Sequence, residues 1–183
     1  MGKIGNNNDK RVSVHGELEI ITNNTSEAKN IIVCGDFSAA LHHIKESEED
    51  IIGQHIFGKG REFLRTKEGR QEPDFVDTRE KLVSLVRSTN TMIAKTFFQK
   101  RSNKHKVTYK AMNTQIGPPW ISDRYYDIEH CLVKRHWLNC VLDTQSDTYT
   151  NVNTDHYMIK IIVRQALKTK EEIFTEPTLK SIT

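Results

Sequence analysis

Two short, continuous apolar runs restrict the fold of this chain more than any other feature. Residues 31–34 and 157–163 are almost wholly apolar and rich in isoleucine and valine. Both runs are shorter than an average globular helix of about 11 residues, and β-branched residues favour strands. We therefore predict that each run is a β-strand and that the first is fully buried. Asp36 closely follows the first run, and Asp155 and His156 directly precede the second.

The chain between these runs contains further strand candidates. They lie at residues 92–98, 107–109 and 126–133. If the last of these segments is extended, Glu129, Cys131 and Val133 share one of its faces. Strands of this kind, mixed with a few helices, predict an α/β or α+β sandwich.

Helical and loop segments are indicated by the spacing of polar and apolar residues. Residues 14–21 predict the end of a helix rather than a strand, and residues 42–50 predict charged surface. Asp77 and Glu80 have the spacing of a capping box, so we predict a helix that begins at Asp77. An apolar helical stripe follows, formed by Leu82, Leu85 and Val86.

The size and composition of the chain fit a folded domain. Its 183 residues suffice for one domain with its own core. Hydrophobic residues make up 36% and charged residues 28%, which is not the composition of a disordered chain. The net charge of +3 is compatible with a polyanionic partner without requiring one. We predict a loose segment at residues 1–13, one domain at 14–168 and a charged tail at 169–183.

The cysteines predict the environment of the protein. Cys34, Cys131 and Cys140 have no paired spacing and lie in apolar surroundings. We therefore expect buried, reduced thiols and a reducing intracellular compartment, either the nucleus or the cytoplasm. The sequence shows no secretory signal and no stretch of transmembrane length, so no membrane partner is expected. Cys131, His136 and Cys140 are too few for a tetrahedral zinc site.

Six short motifs follow one another along the chain. They are Gly35-Asp36-Phe37-Ser38, Ile52-Gly53-Gln54-His55-Ile56-Phe57-Gly58, Ala94-Lys95-Thr96-Phe97-Phe98, His105-Lys106-Val107-Thr108-Tyr109, Asp127-Ile128-Glu129-His130-Cys131-Leu132-Val133 and Thr154-Asp155-His156. Each motif alone is weak, but six in one order are much stronger. In this order, residues 14–168 resemble the C-terminal half of the endonuclease/exonuclease/phosphatase superfamily. Within it they are most similar to the endonuclease domains of non-LTR retrotransposons and to craniofacial-development-protein-2-like sequences.

The resemblance implies a fold, an activity and a role for each matched position. The fold would be the C-terminal half of the deoxyribonuclease-like four-layer fold, a mixed or antiparallel sheet flanked by helices. The activity would be hydrolysis of phosphodiester bonds in DNA with Mg²⁺ or Mn²⁺. Asp36 and Asp155 would bind the metal, and Asp36 would also orient the attacking water. His156 would act as a base or stabilise the pentacovalent state, Glu129 would orient His156, and Ser38 would contact the scissile phosphate.

Two of these positions depart from the family pattern. Ser38 replaces an Asn, and a hydroxyl lacks the reach and the second donor of the amide. Glu129 replaces an Asp, which displaces the carboxylate by one methylene, and a misplacement of about 1 Å can cost on the order of 100-fold in rate. Asp127, on the same predicted strand face, could partly substitute for it.

The superfamily's first half, which supplies an Asn and a metal-binding Glu, has no match upstream of Asp36. The resemblance therefore implies a domain that binds its metal weakly and is weak or inactive alone. It also implies a partner that supplies the missing half.

Whether the chain is an enzyme stays open. The alternative is a noncatalytic remnant of a retrotransposon endonuclease that binds nucleic acid or protein, and a third interpretation is a gene fragment. Simpler interpretations exist for the single residues too. Asp36 could cap a turn, Asp155 and His156 could form a turn pair, and Glu129 could be an ordinary strand residue.

Overall fold

The computed structural model describes residues 7–26, 29–59, 73–112, 114, 117–118, 120, 124–150 and 154–165. Two α-helices are present in this part of the chain, α1 at Asn7–Asn24 and α2 at Pro73–Ser88. Seven strands follow the order β1 Ile32–Asp36, β2 Thr91–Ile93, β3 Tyr109–Lys110, β4 Tyr125–Tyr126, β5 Glu129–Lys134, β6 Val141–Asp147 and β7 Met158–Val163. Short 3₁₀ segments lie at Glu46–Glu48, Ala94–Phe97, Asn103–His105 and Arg135–Cys140.

The strands form three small antiparallel sheets. β5 is the centre of the first, with β1 on one side and β2 on the other. β3 pairs with β4, and β6 pairs with β7. An isolated antiparallel bridge joins Tyr109 of β3 to His156, just before β7. This bridge places the residue just before β7 beside β3.

The β5 strand is buried along its whole length because both of its faces are covered. One face carries Leu132, which belongs to an apolar cluster with α2 and the segment that follows β1. The other face carries Cys131 and Val133, which pack against Ile159 and Ile161 of β7. Helices therefore cover one side of the sheet and the β6–β7 hairpin covers the other. The α/β sandwich predicted from the sequence is confirmed.

The strand predictions were correct in type at the apolar runs and incomplete elsewhere. The expected full burial of the first run was wrong, because Ile32 and Val33 of β1 are half-buried and Cys34 is exposed. Residues 31–34 and 157–163 correspond to β1 and β7. The candidate at residues 92–98 ends as a strand at Ile93 and continues as a 3₁₀ segment. β6 was missed because two of its buried positions are Thr144 and Ser146, so its alternation is not apolar.

The predicted start of α2 was wrong. The helix begins at Pro73, and proline is favoured in the first turn because its missing N–H needs no partner there. Asp77 therefore lies inside the helix, where its carboxylate pairs with Lys81 one turn later at 2.6 Å. Glu80 pairs with Lys45 at 2.8 Å instead of capping the helix.

Three other expectations differ from the structure. Residues 7–13, expected to be loose, are helical, and residues 1–6 lie outside the described part of the chain. Residues 42–50 are not uniformly surface, because His42 and Glu48 are buried. Cys34 is exposed, whereas Cys131 is buried as expected. The predicted tail at 169–183 lies outside the described residues, and the domain boundaries stay predictions.

No helix among the described residues combines the length and apolarity that a membrane crossing requires.

Candidate active site

Asp36 ends β1 and closes the turn that follows it. Its Oδ1 accepts the Ser38 backbone N–H at 2.6 Å and the Ser38 hydroxyl at 3.3 Å. The turn requires a φ of +50° at Ser38, a left-handed conformation that is costly for a residue with a Cβ. Asp36 is exposed, and Ser38 lies beside it. The turn-capping interpretation of Asp36 therefore holds in the structure, alongside any further role.

Glu129 begins β5 directly opposite Asp36 in the antiparallel pair. It is only 8% exposed. Thr108 fixes the backbone at this point, because its hydroxyl oxygen accepts the N–H groups of Ile128 at 2.9 Å and Glu129 at 3.1 Å. The Thr108 side chain also hydrogen-bonds the Glu129 carboxylate. In the described structure Glu129 Oε2 is buried without a hydrogen-bond partner, which is costly for a carboxylate.

His156 is held against Glu129 by several contacts. Its Nδ1 hydrogen-bonds Glu129 Oε1. Its backbone N–H donates to the Thr154 hydroxyl at 3.2 Å. The Tyr109 ring packs edge-on against the imidazole, with the ring centroids 5.0 Å apart. Because Nδ1 is directed at the carboxylate, it is the nitrogen expected to carry the proton, and Nε2 is left for chemistry.

Burial and charge perturb both members of this pair. Burial raises the pKa of Glu129, and the Asp36 charge adds to the rise, while the hydrogen bonds from Thr108 and His156 oppose it. Burial alone would lower the pKa of His156, but the hydrogen bond and charge of Glu129 outweigh it, and the pKa is raised. Asp36 and Asp155 raise the pKa of His156 further. The imidazolium form of His156 is therefore favoured.

Asp155 lies on the other side of the imidazole. Its Oδ1 is 3.9 Å from His156 Nε2. Its backbone carbonyl accepts the Lys110 N–H at 2.9 Å, and its side chain hydrogen-bonds Tyr109. Burial raises the pKa of Tyr109, as do the charge of Asp155 and this hydrogen bond, so the phenol stays protonated and can donate. The β3 segment thus positions both Asp155 and His156.

Four of the five predicted site residues line two adjoining concavities. Glu129 and His156 line an open concavity of about 390 Å³. Asp36 and Ser38 line a groove of about 430 Å³ between α1 and β1. Cys34 and Gly35 of β1 border both. The structure therefore places Glu129 beside one ring nitrogen of His156 and Asp155 near the other. Asp36 lies opposite Glu129 in the β1–β5 pair.

The side chains of this site fit a metal ion only in part. Asp36 and Asp155 provide the hard oxygen ligands that Mg²⁺ and Mn²⁺ prefer. However, no group of three or more His, Cys, Asp or Glu side chains within the described ranges could hold a metal ion. The described residues therefore do not make a complete metal centre by themselves.

Asp127 does not take the place of Glu129. Its carboxylate forms a buried ion pair with Lys95 at 2.5 Å. Because β5 begins at Glu129, Asp127 lies just before the strand rather than beside Glu129 on its face. A buried carboxylate with a committed partner is not available to orient His156.

Thr108 and Tyr109 are site residues to which the sequence assigned no role. Thr108 is fully buried and links Glu129 to the chain beside His156, because its carbonyl accepts the Tyr157 N–H at 2.7 Å. Tyr109 contacts both Asp155 and His156. The motif at residues 105–109 was the available signal, but it does not show that these two side chains face the site.

Comparisons with known proteins support the fold. No protein-family model matches the chain, and no curated protein matches it in sequence. Its structure is similar to that of the AP endonuclease LMAP from Leishmania major, with a TM-score of 0.53 and 14% identity. The match covers 85% of this chain and 43% of that one, so the chain spans less than half the length of the endonuclease. At this identity the likeness shows a shared fold, an α/β sandwich.

Proposed function

We propose that this chain is an endonuclease-like domain that binds nucleic acid and whose hydrolysis of phosphodiester bonds is weak or absent when the chain acts alone. The observation that carries the proposal is the Glu129–His156 hydrogen bond with Asp155 beside it. The likeness to an AP endonuclease supports the same class of protein.

The electrostatic surroundings of His156 favour one of the two roles expected for it. A raised pKa disfavours a neutral imidazole, which a general base requires. The imidazolium that Glu129 stabilises would instead attract a phosphate and offset negative charge that develops in the transition state. Its Nε2–H would donate to a phosphoryl or leaving-group oxygen. Electrostatic stabilisation by His156 is therefore the role we propose.

In this proposal, the chain alone has low activity because it supplies only part of the metal's coordination shell. Asp36 and Asp155 are the carboxylates that the chain offers to Mg²⁺ or Mn²⁺, and the ion would supply charge stabilisation at the phosphate. Two carboxylates leave most of the coordination shell to water, substrate or a second polypeptide. A partner that supplies further ligands would complete the site, which is why low activity is proposed for the chain alone.

The order of the six sequence motifs supports a narrower relationship within this class of protein. They favour an origin among non-LTR retrotransposon endonucleases and craniofacial-development-protein-2-like sequences. The second candidate function is a noncatalytic remnant that binds nucleic acid or protein. The lack, within the described residues, of a group able to hold a metal favours this alternative.

The test compares DNA binding and DNA cleavage by the full chain. Binding to labelled duplex and single-stranded DNA is measured by fluorescence anisotropy, and single-turnover nicking of plasmid is measured with Mg²⁺, Mn²⁺ or a chelator. His156→Ala is compared with His136→Ala, an exposed histidine at the far end of β5. Slow, metal-dependent nicking that only His156→Ala abolishes supports the proposal. Binding with no nicking under any condition agrees with both the proposal for the chain alone and the noncatalytic alternative, and the absence of both binding and nicking contradicts both.

A further inference from the structure

Cys34 and Cys131 face each other across two antiparallel strands. They are direct partners in the β1–β5 register although they are 97 residues apart in the chain. Their sulfur atoms are 3.0 Å apart, and both thiols are free. Directly opposite residues of an antiparallel pair have Cα atoms about 4.5–5.5 Å apart, which lies within the range of disulfide-bonded cysteines. The two sulfur atoms need to move only slightly closer to form a disulfide bond.

The two thiols differ in their access to solvent. Cys34 is exposed and borders both concavities beside β1, whereas Cys131 is 0% exposed. A small oxidant in water can therefore reach the sulfur of Cys34 but not that of Cys131. The third cysteine, Cys140, lies after β5 in a 3₁₀ segment and is not part of the pair. In redox-sensitive cysteine pairs, an exposed reactive thiol lies in contact with a second thiol that resolves its oxidised form. Cys34 and Cys131 have this arrangement.

We propose that Cys34 and Cys131 form a reversible redox site, at which a hydroperoxide oxidises Cys34 and Cys131 resolves the product as an intramolecular disulfide. This site is independent of the proposed nuclease function, because it needs neither a metal nor a nucleic acid.

The two steps balance. The sulfur of Cys34, as thiolate, attacks one peroxide oxygen, so that an S–O bond forms, the O–O bond breaks and hydroxide or an alkoxide leaves. The sulfur of Cys131 then attacks the sulfur of Cys34, so that the S–S bond forms and the S–O bond breaks. The departing hydroxide takes the Cys131 proton as water. The proton that Cys34 loses goes to the leaving hydroxide or alkoxide, so two thiols and one hydroperoxide become one disulfide and either two molecules of water or one of water and one of alcohol. A thiol reductant reverses the reaction by attack on the exposed sulfur of Cys34.

The disulfide would cross-link the two strands that carry Asp36 and Glu129. Each cysteine is two residues from the acidic residue of its own strand. The covalent bond would close a long loop and restrict the unfolded chain, so the oxidised protein should melt at a higher temperature than the reduced protein.

The experiment treats the reduced full chain with stepwise hydrogen peroxide and follows it by free-thiol titration, intact mass and peptide mapping. We expect the loss of two thiols per chain and of two hydrogen atoms in mass, with a peptide that links Cys34 to Cys131. Dithiothreitol should restore both thiols.

Matched variants identify the sulfurs. Cys140→Ser should form the same disulfide as the wild-type chain, whereas Cys34→Ser and Cys131→Ser should not. Cys34 is exposed, so Cys34→Ser tests the pair even if Cys131→Ser fails to fold. Sulfinic acid on Cys34 without a cross-link, a disulfide that includes Cys140, a disulfide between two chains or an inert Cys34 would each overturn the proposal.

Discussion

The side chains of Glu129 and His156 are hydrogen-bonded to each other although the two residues are 27 positions apart in the sequence. One is buried at the start of β5 and the other precedes β7 at the rim of a concavity. The contact exists because the β3 segment bridges both, through the Thr108 hydroxyl to Glu129 and through the Tyr109 backbone and ring to His156. A buried carboxylate thereby controls the charge of a partly exposed imidazole.

Glu129→Gln should lower the pKa of His156. The substitution keeps the size of the side chain but removes the negative charge that stabilises the imidazolium, so burial, which lowers the pKa, then prevails. NMR titration of the His156 ring protons measures this directly. Asp155→Asn is the matched control and should lower the pKa less, because Asp155 is a smaller cause of the shift. An unchanged His156 pKa in Glu129→Gln would contradict the described contact.

Glu48→Gln should destabilise the protein. Arg79 is fully buried, and both of its terminal nitrogens contact the Glu48 carboxylate. Removing one charge from a buried pair leaves the other uncompensated, which costs roughly 3–5 kcal/mol. Glu80, which also contacts Arg79 at 3.0 Å, should keep the loss at the low end. Chemical denaturation measures the effect, and Glu46→Gln, at an exposed position in the same 3₁₀ segment, should change the unfolding free energy little.

The same pair should make stability depend on pH. Burial raises the pKa of Glu48, but the hydrogen bond and charge of Arg79 outweigh it, and the folded-state pKa lies below the ordinary value of 4.5. A carboxyl group with a depressed pKa binds fewer protons in the folded state. Its contribution is therefore present above pH 4.5 and is lost as the pH falls through the folded-state pKa. The stability difference between wild type and Glu48→Gln should shrink in that acidic window. A difference independent of pH would exclude the mechanism.

Ser38→Asn should be neutral or stabilising, whereas Ser38→Val should be destabilising. The φ of +50° is left-handed, which costs about 1–2 kcal/mol for most residues and less for Asn. A β-branched residue tolerates this conformation worst. Thermal denaturation of the two variants gives their order. Asn90 has the same φ and serves as the internal check, because Asn90→Val should be destabilising in the same direction.

Thr108→Val should cost more stability than Thr108→Ser. Valine matches threonine in shape but removes the oxygen that accepts the N–H groups of Ile128 and Glu129. A buried donor without a partner costs about 1–3 kcal/mol. Serine keeps the oxygen and loses only a methyl group. Equal unfolding free energies for the two variants would show that the hydroxyl is not the anchor of this turn.

The sequence by itself determined the class of the fold and two of its strands. The runs at residues 31–34 and 157–163 are apolar, rich in β-branched residues and short, so they favour strands, although β1 and β7 each expose part of their side chains. The acids beside them were placed at strand ends for the same reason. Local pattern also predicted that Glu129 and Cys131 share a face, because alternation along an extended strand is a property of the backbone.

Only the tertiary structure decided which of these residues meet. The contact of Glu129 with His156, the commitment of Asp127 to Lys95 and the exposure of Cys34 opposite a buried Cys131 depend on pairing between distant segments. β6 and the role of Thr108 were not predicted because the buried side chains concerned include Thr108, Thr144 and Ser146, and a sequence pattern does not show which polar side chains folding will bury. The spacing of residue types in the sequence reflects local preferences of the backbone. The burial and the charge of a side chain depend on neighbours that only folding brings together.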